Sequence, residues 1–293
     1  MRIVSRRKFL KGLAYGITLS SLPFTSGLTE AGVKLALGGS NSDYPKIVRG
    51  VYDWYGKNFF NFDKYFGSQE KEYIQACIRM MDTPHYAINN NFSYSYFAFS
   101  HRVKKEKINS GRTAFGNLKY RKKLLPLIEK LVTKWGVKSS NLPDFDNAFG
   151  LGWDVEEDHL KVYMFIQNWN DVSDPGLINL IKLAGREPIY DLGLVSVTLK
   201  GGKVVEKKVY LALKNTHPEI VQDYPFKNAI AHTNYMITDT RGIIPQVDIG
   251  FPFDMKSINS VGQKIVSTYM DGLRLGLDTI AYQGAEQYTL YFP

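Results

Sequence analysis

Three stretches of this sequence pair two runs of alternating apolar and polar positions across a short acidic or glycine-rich turn. The first leads from Gly152-Trp153-Asp154-Val155 through Glu156, Glu157 and Asp158 to Leu160-Lys161-Val162-Tyr163-Met164-Phe165. The second runs from Gly193 to Leu199, turns at Lys200-Gly201-Gly202-Lys203, and returns through Lys208-Val209-Tyr210 to Leu213. The third, looser, runs from Gly276 to Tyr282, turns at Gln283 to Glu286, and ends with Gln287 to Phe292. Period-two alternation on both sides of a short turn predicts a β-hairpin in each case. Gly152 and Gly193 lie 41 positions apart, and Gly193 and Gly276 lie 83 apart, about two such periods. A further copy is therefore expected near position 234. There the chain reads His232 to Thr238, a turn at Asp239-Thr240-Arg241-Gly242, and Ile243 to Phe251. Repeats of this length predict units that stack or close into a ring. Because strand residues alternate faces, Lys161 and Tyr163 point one way and Val162 and Met164 the other.

Helical periodicity fills the intervals. Helices are expected over Tyr44–Tyr55, Ser68–Asp82 with a serine cap, and Arg121–Trp135 stopped by Gly136, with Pro126 a candidate first-turn residue. Others open at Asp174-Pro175, ending at Gly185, and at His217-Pro218, and one runs from Met255 to Leu275 under an Asp254 cap. Phe92 to Phe99 alternates as a strand, and the basic stretch from Arg102 to Lys107 is assigned to a loop or strand end. The plan is helix, strand, strand, five times over. Ten antiparallel strands favour closure over two ragged edges, and helices must cover the aliphatic face. The expected fold is α+β: a ten-stranded antiparallel β-barrel inside a ring of helices, with the polar, tyrosine-rich face turned to the lumen.

Charge and composition sharpen this picture. A formal net charge of +9 points to polyanions, phosphorylated small molecules or anionic membranes as partners. Without a recognised module, nucleic acid is not among the expected partners. Cys77 is the only cysteine, which excludes an internal disulfide and a thiolate metal cluster; its helical setting predicts a buried thiol. The five histidines form no close pair of zinc-enzyme type and are read as structural. At the N-terminus, Ser5-Arg6-Arg7-Lys8-Phe9-Leu10-Lys11 has the twin-arginine pattern, followed by a stretch too weakly apolar for a membrane span. Residues 1–40 are read as an export signal and 41–293 as one domain, periplasmic or extracellular, or cytoplasmic if the segment is only a basic terminus. No integral membrane domain is expected, and a monomer is.

Inside such a barrel, Lys161, Tyr163, Lys208, Tyr210, Gln287 and Tyr291 would converge. Ammonium groups and phenol hydroxyls suit an anion such as diphosphate, and tyrosine faces can shield a carbocation from water. With Lys-x-Tyr on the inward face of successive hairpins, the chain resembles the aromatic prenyltransferases of the ABBA type, from about Ser68 to Pro293. That resemblance implies a transferase moving a dimethylallyl or geranyl group from its diphosphate to an aromatic small molecule. It implies that Lys161, Tyr163, Lys208 and Tyr210, with Tyr235, Gln287 and Tyr291, bind the diphosphate and shield the cation; the proton-accepting residue is not identified. Some members hold magnesium through an aspartate in the first hairpin. Asn91 or Ser93 stands at the matching place here, so no cofactor and no magnesium are expected. The family's basic residue in the fourth hairpin has only Arg241, in a turn, as its counterpart. The competing reading is an exported barrel of the same build that binds a hydrophobic or anionic ligand without chemistry.

Overall fold

The computed structural model describes residues 54–59, 66–80, 87–88, 94–105, 107–155, 157–183, 193–212, 221, 223–226, 230–250, 254–273, 276–277, 279–284 and 286–292. The twin-arginine segment, Asn91, Ser93 and the helix expected at His217-Pro218 lie outside them. Four helices stand in the described chain: α1 (Ser68–Met80), α2 (Arg121–Lys134), α3 (Pro175–Leu183) and α4 (Ser260–Leu273); residues 54–58 are also helical. The strands are β1 (Ala87–Ile88), β2 (Tyr94–Lys104), β3 (Lys107–Asn117), β4 (Ala148–Asp154), β5 (His159–Ile166), β6 (Gly193–Lys200), β7 (Lys203–Ala212), β8 (Ile230–Thr238), β9 (Gly242–Gly250), β10 (Thr279–Gly284) and β11 (Gln287–Phe292).

Strands β2 to β11 form an antiparallel meander, each paired with its sequence neighbours. The meander closes where β11 pairs with β2, Gln287 opposite Lys104 through Phe292 opposite Phe99. The short β1 pairs with Tyr94 and Ser95 at the far end of β2. The result is a closed ten-stranded antiparallel barrel with helices packed outside it. Each described helix α1 to α4 precedes a hairpin: β2–β3, β4–β5, β6–β7 and β10–β11 respectively.

Closure gives the strands an outer face against the helices and an inner face turned to the lumen. Val162, Met164, Val195, Val197, Val209, Leu211, Ile249 and Leu290 are fully buried between barrel and helices, in the main core. Against β2 and β11, Tyr269 of α4 stacks on Phe292 at 3.7 Å and accepts or donates a 2.8 Å hydrogen bond with His101 Nε2. Burial holds His101 neutral, its pKa pushed down to about 3. The 54–58 segment crosses α4 at Gly272, where a Cβ would stand 2.2 Å from the Trp54 ring. Another close approach sets α2 on the β6–β7 turn: Gly136 and Gly202 both have positive φ, and a Cβ on Gly136 would lie 2.9 Å from Gly202 Cα. No helix among the described residues is long and apolar enough to cross a membrane.

Local chemistry moves several boundaries. Helix α2 starts at Arg121 and carries Pro126 inside it rather than in its first turn. Asp254 caps only a short 3-10 turn, Met255–Ser257, by accepting from Lys256 N at 2.9 Å. The side chain that caps α4 is Asn259, whose Oδ1 accepts from Gly262 N at 3.0 Å. Asp174 caps α3 as expected, accepting from Leu177 N at 3.1 Å. Of the two readings of the basic stretch from Arg102 to Lys107, strand end is the one the structure shows: it completes β2 to Lys104, turns at Lys105 with a φ of 56°, and resumes as β3 at Lys107. Cys77 is buried, its thiol pushed up to about 12 by desolvation, far from any thiolate chemistry.

Candidate functional site: a cationic cavity at the barrel mouth

In an antiparallel pair, residues directly opposite share a face, so register assigns the lumen side. Lys161 opposes Gly152 on β4 and Thr198 on β6. Tyr163 opposes Gly150 and Ser196, Lys208 opposes Ser196 and Thr238, and Tyr210 opposes Leu194 and Met236. Tyr291 opposes Ser100, which opposes Arg112. These residues therefore lie on one continuous inner face. Glycine on β4 makes the room: a Cβ on Gly152 would meet the Tyr163 ring at 3.0 Å and its hydroxyl at 3.3 Å, so the phenol occupies the space a side chain there would fill.

Tyr235 does not belong with them. It opposes Leu211 and Pro245, shares the face of the buried Leu211, and packs on the core outside the barrel. The inward residues of β8 are Asn234, Met236 and Thr238. Gln287 is inward but serves another structure. Its Nε2 donates to Gln283 Oε1, Gln283 donates to Gln246 Oε1 at 2.8 Å, and Gln246 donates to Asp248 Oδ1 at 2.7 Å. Asn234 Nδ2 donates to the other carboxylate oxygen. An ionised carboxylate only accepts, which fixes the direction of every amide in this row.

At the hairpin-turn end the lumen opens into a cavity of about 290 Å³ lined by Arg102, Arg112, Lys161, Lys208 and Arg241, with Glu157, Glu206, His159 and Thr198 among them. The cations come from β2, β3, β5, β7 and the β8–β9 turn, so the site exists only because the sheet is closed. Two carboxylates are interleaved. Asp154, fully buried, meets Arg112 Nη2 at 2.8 Å and Lys161 Nζ at 3.4 Å. Glu206 meets Lys208 Nζ at 2.6 Å and Arg241 Nη2 at 3.1 Å. With Glu157, three carboxylates face five cations, a formal excess of two positive charges (5 − 3).

That excess is felt by the individual groups. Burial, then the charges of Arg112 and Lys208, hold Lys161 well below the ordinary lysine range. Burial lowers Lys208 to about 8 despite its contact with Glu206. Burial pushes Glu206 up, but Lys208 and Arg241 more than offset this and hold its carboxyl low. Burial raises Tyr210, and raises Tyr291 to about 12, so both phenols stay protonated and can donate. Arg112 Nε and Thr198 Oγ1 are buried without a hydrogen-bond partner, donors of the kind a bound oxyanion satisfies.

Asp154, Glu157 and His159 bring ligand atoms within 4.8 Å of one another. The Asp154 carboxylate is held by Arg112 and Lys161, and those cations repel a metal ion, so the geometry favours an anion there instead. Glu157, expected in a hairpin turn, and His159, expected to be structural, both line the cavity. No protein-family model matches the chain, and no curated protein is detectably similar to it.

Proposed function

We propose that this barrel is an aromatic prenyltransferase that grips the diphosphate of a short prenyl donor in the mouth cavity and transfers the prenyl group to an aromatic small molecule within the lumen. The observation that carries the reading is the meeting of four inward cations, Arg102, Arg112, Lys161 and Lys208, with the inward phenols Tyr163, Tyr210 and Tyr291. The cations take up the charge that develops on the departing diphosphate, the role magnesium plays in other prenyl-transferring enzymes. Their low-dielectric setting strengthens each contact. The C1–O bond breaks with its electron pair leaving on the diphosphate. The allylic cation is held against the tyrosine faces, an aromatic carbon supplies the pair for the new C–C bond, and the ring proton then leaves to water or a carboxylate, whereupon aromaticity returns. Water is excluded by the closed wall behind them.

Purified protein incubated with dimethylallyl diphosphate and a panel of phenols, indoles and phenazines should yield a prenylated product. The activity should disappear in Lys161→Ala combined with Lys208→Ala. Donor binding that is indifferent to that pair of substitutions would refute the reading.

One observation favours a second function. A cavity of about 290 Å³ is at the small end of small-molecule sites, which span about 300–1,000 Å³. It suits one small anion better than a donor and an acceptor together, as in an exported anion carrier without chemistry. Ligand extracted unchanged from native protein, with no turnover of any prenyl diphosphate, would select this alternative.

A further inference from the structure

We infer that the mouth cavity is a polyanion site coupled to proton uptake: a diphosphate-type ligand entering between Arg102, Arg112, Lys161 and Lys208 draws a proton from solution onto Lys161 Nζ. This deepens the proposed function and rests on its anion-binding half alone.

The argument begins with an unequal division of carboxylates. Lys208 has Glu206 at 2.6 Å. Lys161 shares Asp154 with Arg112, and Arg112 holds it closer, at 2.8 Å against 3.4 Å. A guanidinium does not release its proton in proteins, whereas an ammonium does so readily when buried. Where one carboxylate serves a guanidinium and an amine, the amine is the group that yields.

The surroundings push the same way. Arg102 from β2, Arg112 from β3 and Lys208 from β7 all disfavour charge on Lys161, and only Asp154 from β4 is a main favourable influence. Around the same cavity stand Glu157 and His159 at the β4–β5 turn, Glu206 on β7 and Arg241 on the β8–β9 turn. Glu206 is occupied by Lys208 and Arg241, and Glu157 contacts His159 Nδ1 at 3.2 Å, a histidine that burial biases toward its neutral form. Asp248 lies with the amides of β8 to β11.

A ligand with several negative charges reverses this balance. Placed among the four cations, it adds the counter-charge Lys161 lacks, and the amine binds a proton as the ligand binds. No covalent bond to the ligand changes; a proton moves from water or buffer to the lysine lone pair. A singly charged ligand reverses the balance less, so the site favours di- and polyanions over carboxylates.

Inorganic pyrophosphate is the probe, titrated into wild-type protein and Lys161→Arg between pH 7 and 9. Arginine keeps the positive charge and has no proton to gain, so the variant should bind with a shallower pH dependence. As pH rises the proton becomes scarcer, so wild-type affinity should fall more steeply than that of the variant, by up to about tenfold per pH unit. The proton equilibrium of pyrophosphate is common to both proteins and cancels in this difference; Lys208 titrates in the same range and is coupled to Lys161, so the comparison is repeated with Lys208→Arg in both proteins. Equal slopes would overturn the coupling while leaving the anion site intact. Failure of wild type to bind pyrophosphate would overturn the anion site itself. Should Lys161→Arg not fold, sulfate titrated calorimetrically into Lys208→Arg, in buffers of different ionisation enthalpy, decides the matter. Buffer-dependent heats support proton uptake, and buffer-independent heats overturn it.

Discussion

Replacing Asp154 by Asn should move stability and anion affinity in opposite directions. Asp154 is 1% exposed and is the nearest counter-ion of both Arg112 and Lys161. Removing one partner of a buried ion pair costs about 3–5 kcal/mol, and the lower end applies because Lys161 can shed its proton. For a chain of 293 residues, at about 2.1 cal/mol/K per residue, about 3 kcal/mol lowers the melting temperature by roughly 5 °C. Yet the same carboxylate competes with any anion the cavity binds. An oxyanion held by Arg112 would lie roughly 6 Å from it, where two unit charges repel by about 2–3 kcal/mol at an effective dielectric of about 20. Since loss of Asp154 also leaves Lys161 more fully discharged, the net expectation is a gain of about tenfold in pyrophosphate affinity. Calorimetry gives the affinity and a melting curve with and without pyrophosphate gives the stability, part of which the ligand should restore. If Asp154→Asn weakens pyrophosphate binding in step with stability, Asp154 is an ordinary structural counter-ion and does not compete with the bound anion.

Other substitutions probe separate features. Lys161→Met should raise apo stability at pH 7 by about 1–2 kcal/mol, because it removes an ammonium disfavoured by burial and by Arg112 and Lys208. A lysine with a depressed folded pKa gains stability as pH rises toward its unfolded value, so the advantage of the variant should shrink toward pH 10 in denaturant titrations. Tyr269→Phe removes the 2.8 Å partner of His101 Nε2 in the aromatic cluster and should cost about 1–3 kcal/mol, read as a lower denaturation midpoint. The depressed pKa of His101, about 3, means the unfolded chain takes up its proton first, so stability should fall as pH drops from about 6.5 toward 3. His101→Gln should flatten that part of the profile. Gly152→Ala places a Cβ 3.0 Å from the Tyr163 ring, costing about 1–3 kcal/mol and displacing the phenol, visible as a change in near-ultraviolet dichroism.

The hairpins were legible where the outer face is aliphatic. Val162 and Met164 on β5, or Val195, Val197 and Leu199 on β6, leave an unmistakable period of two, and that period also fixed which way Lys161 and Lys208 point. Strand β3 carries no such record. Its sequence, Lys107 to Asn117, is mostly polar or small, and of its outward residues Thr113, Phe115 and Asn117 only one is a large apolar side chain. Arg112, the cation closest to Asp154, was therefore invisible, and Arg102 stands in the polar run His101 to Lys104, where Val103 is the single apolar residue marking the outward face. Tyr235 failed for a different reason. In His232-Thr233-Asn234-Tyr235-Met236 polar residues fall on both phases, so analogy with the other hairpins chose the face, and pairing with Leu211 reverses it. The acidic members, Asp154 and Glu206, looked like strand and turn residues because a carboxylate announces nothing until its cations are known. Helix α4 shows the limit of cap reading: Asp254 and Asn259 are both good caps five positions apart, and only packing decides which one starts the long helix.

Arg102 stands opposite Thr289 in the row where the first strand of the ring meets the last. Every other strand pairing in the ring joins strands consecutive in sequence, whereas this seam must gather the two ends of the sheet and closes the longest loop. A chain that has made all its hairpins but has not zipped β2 to β11 would own every residue of the cavity and have no cavity. Fragments of this protein should therefore be inert toward anions however well their strands pair.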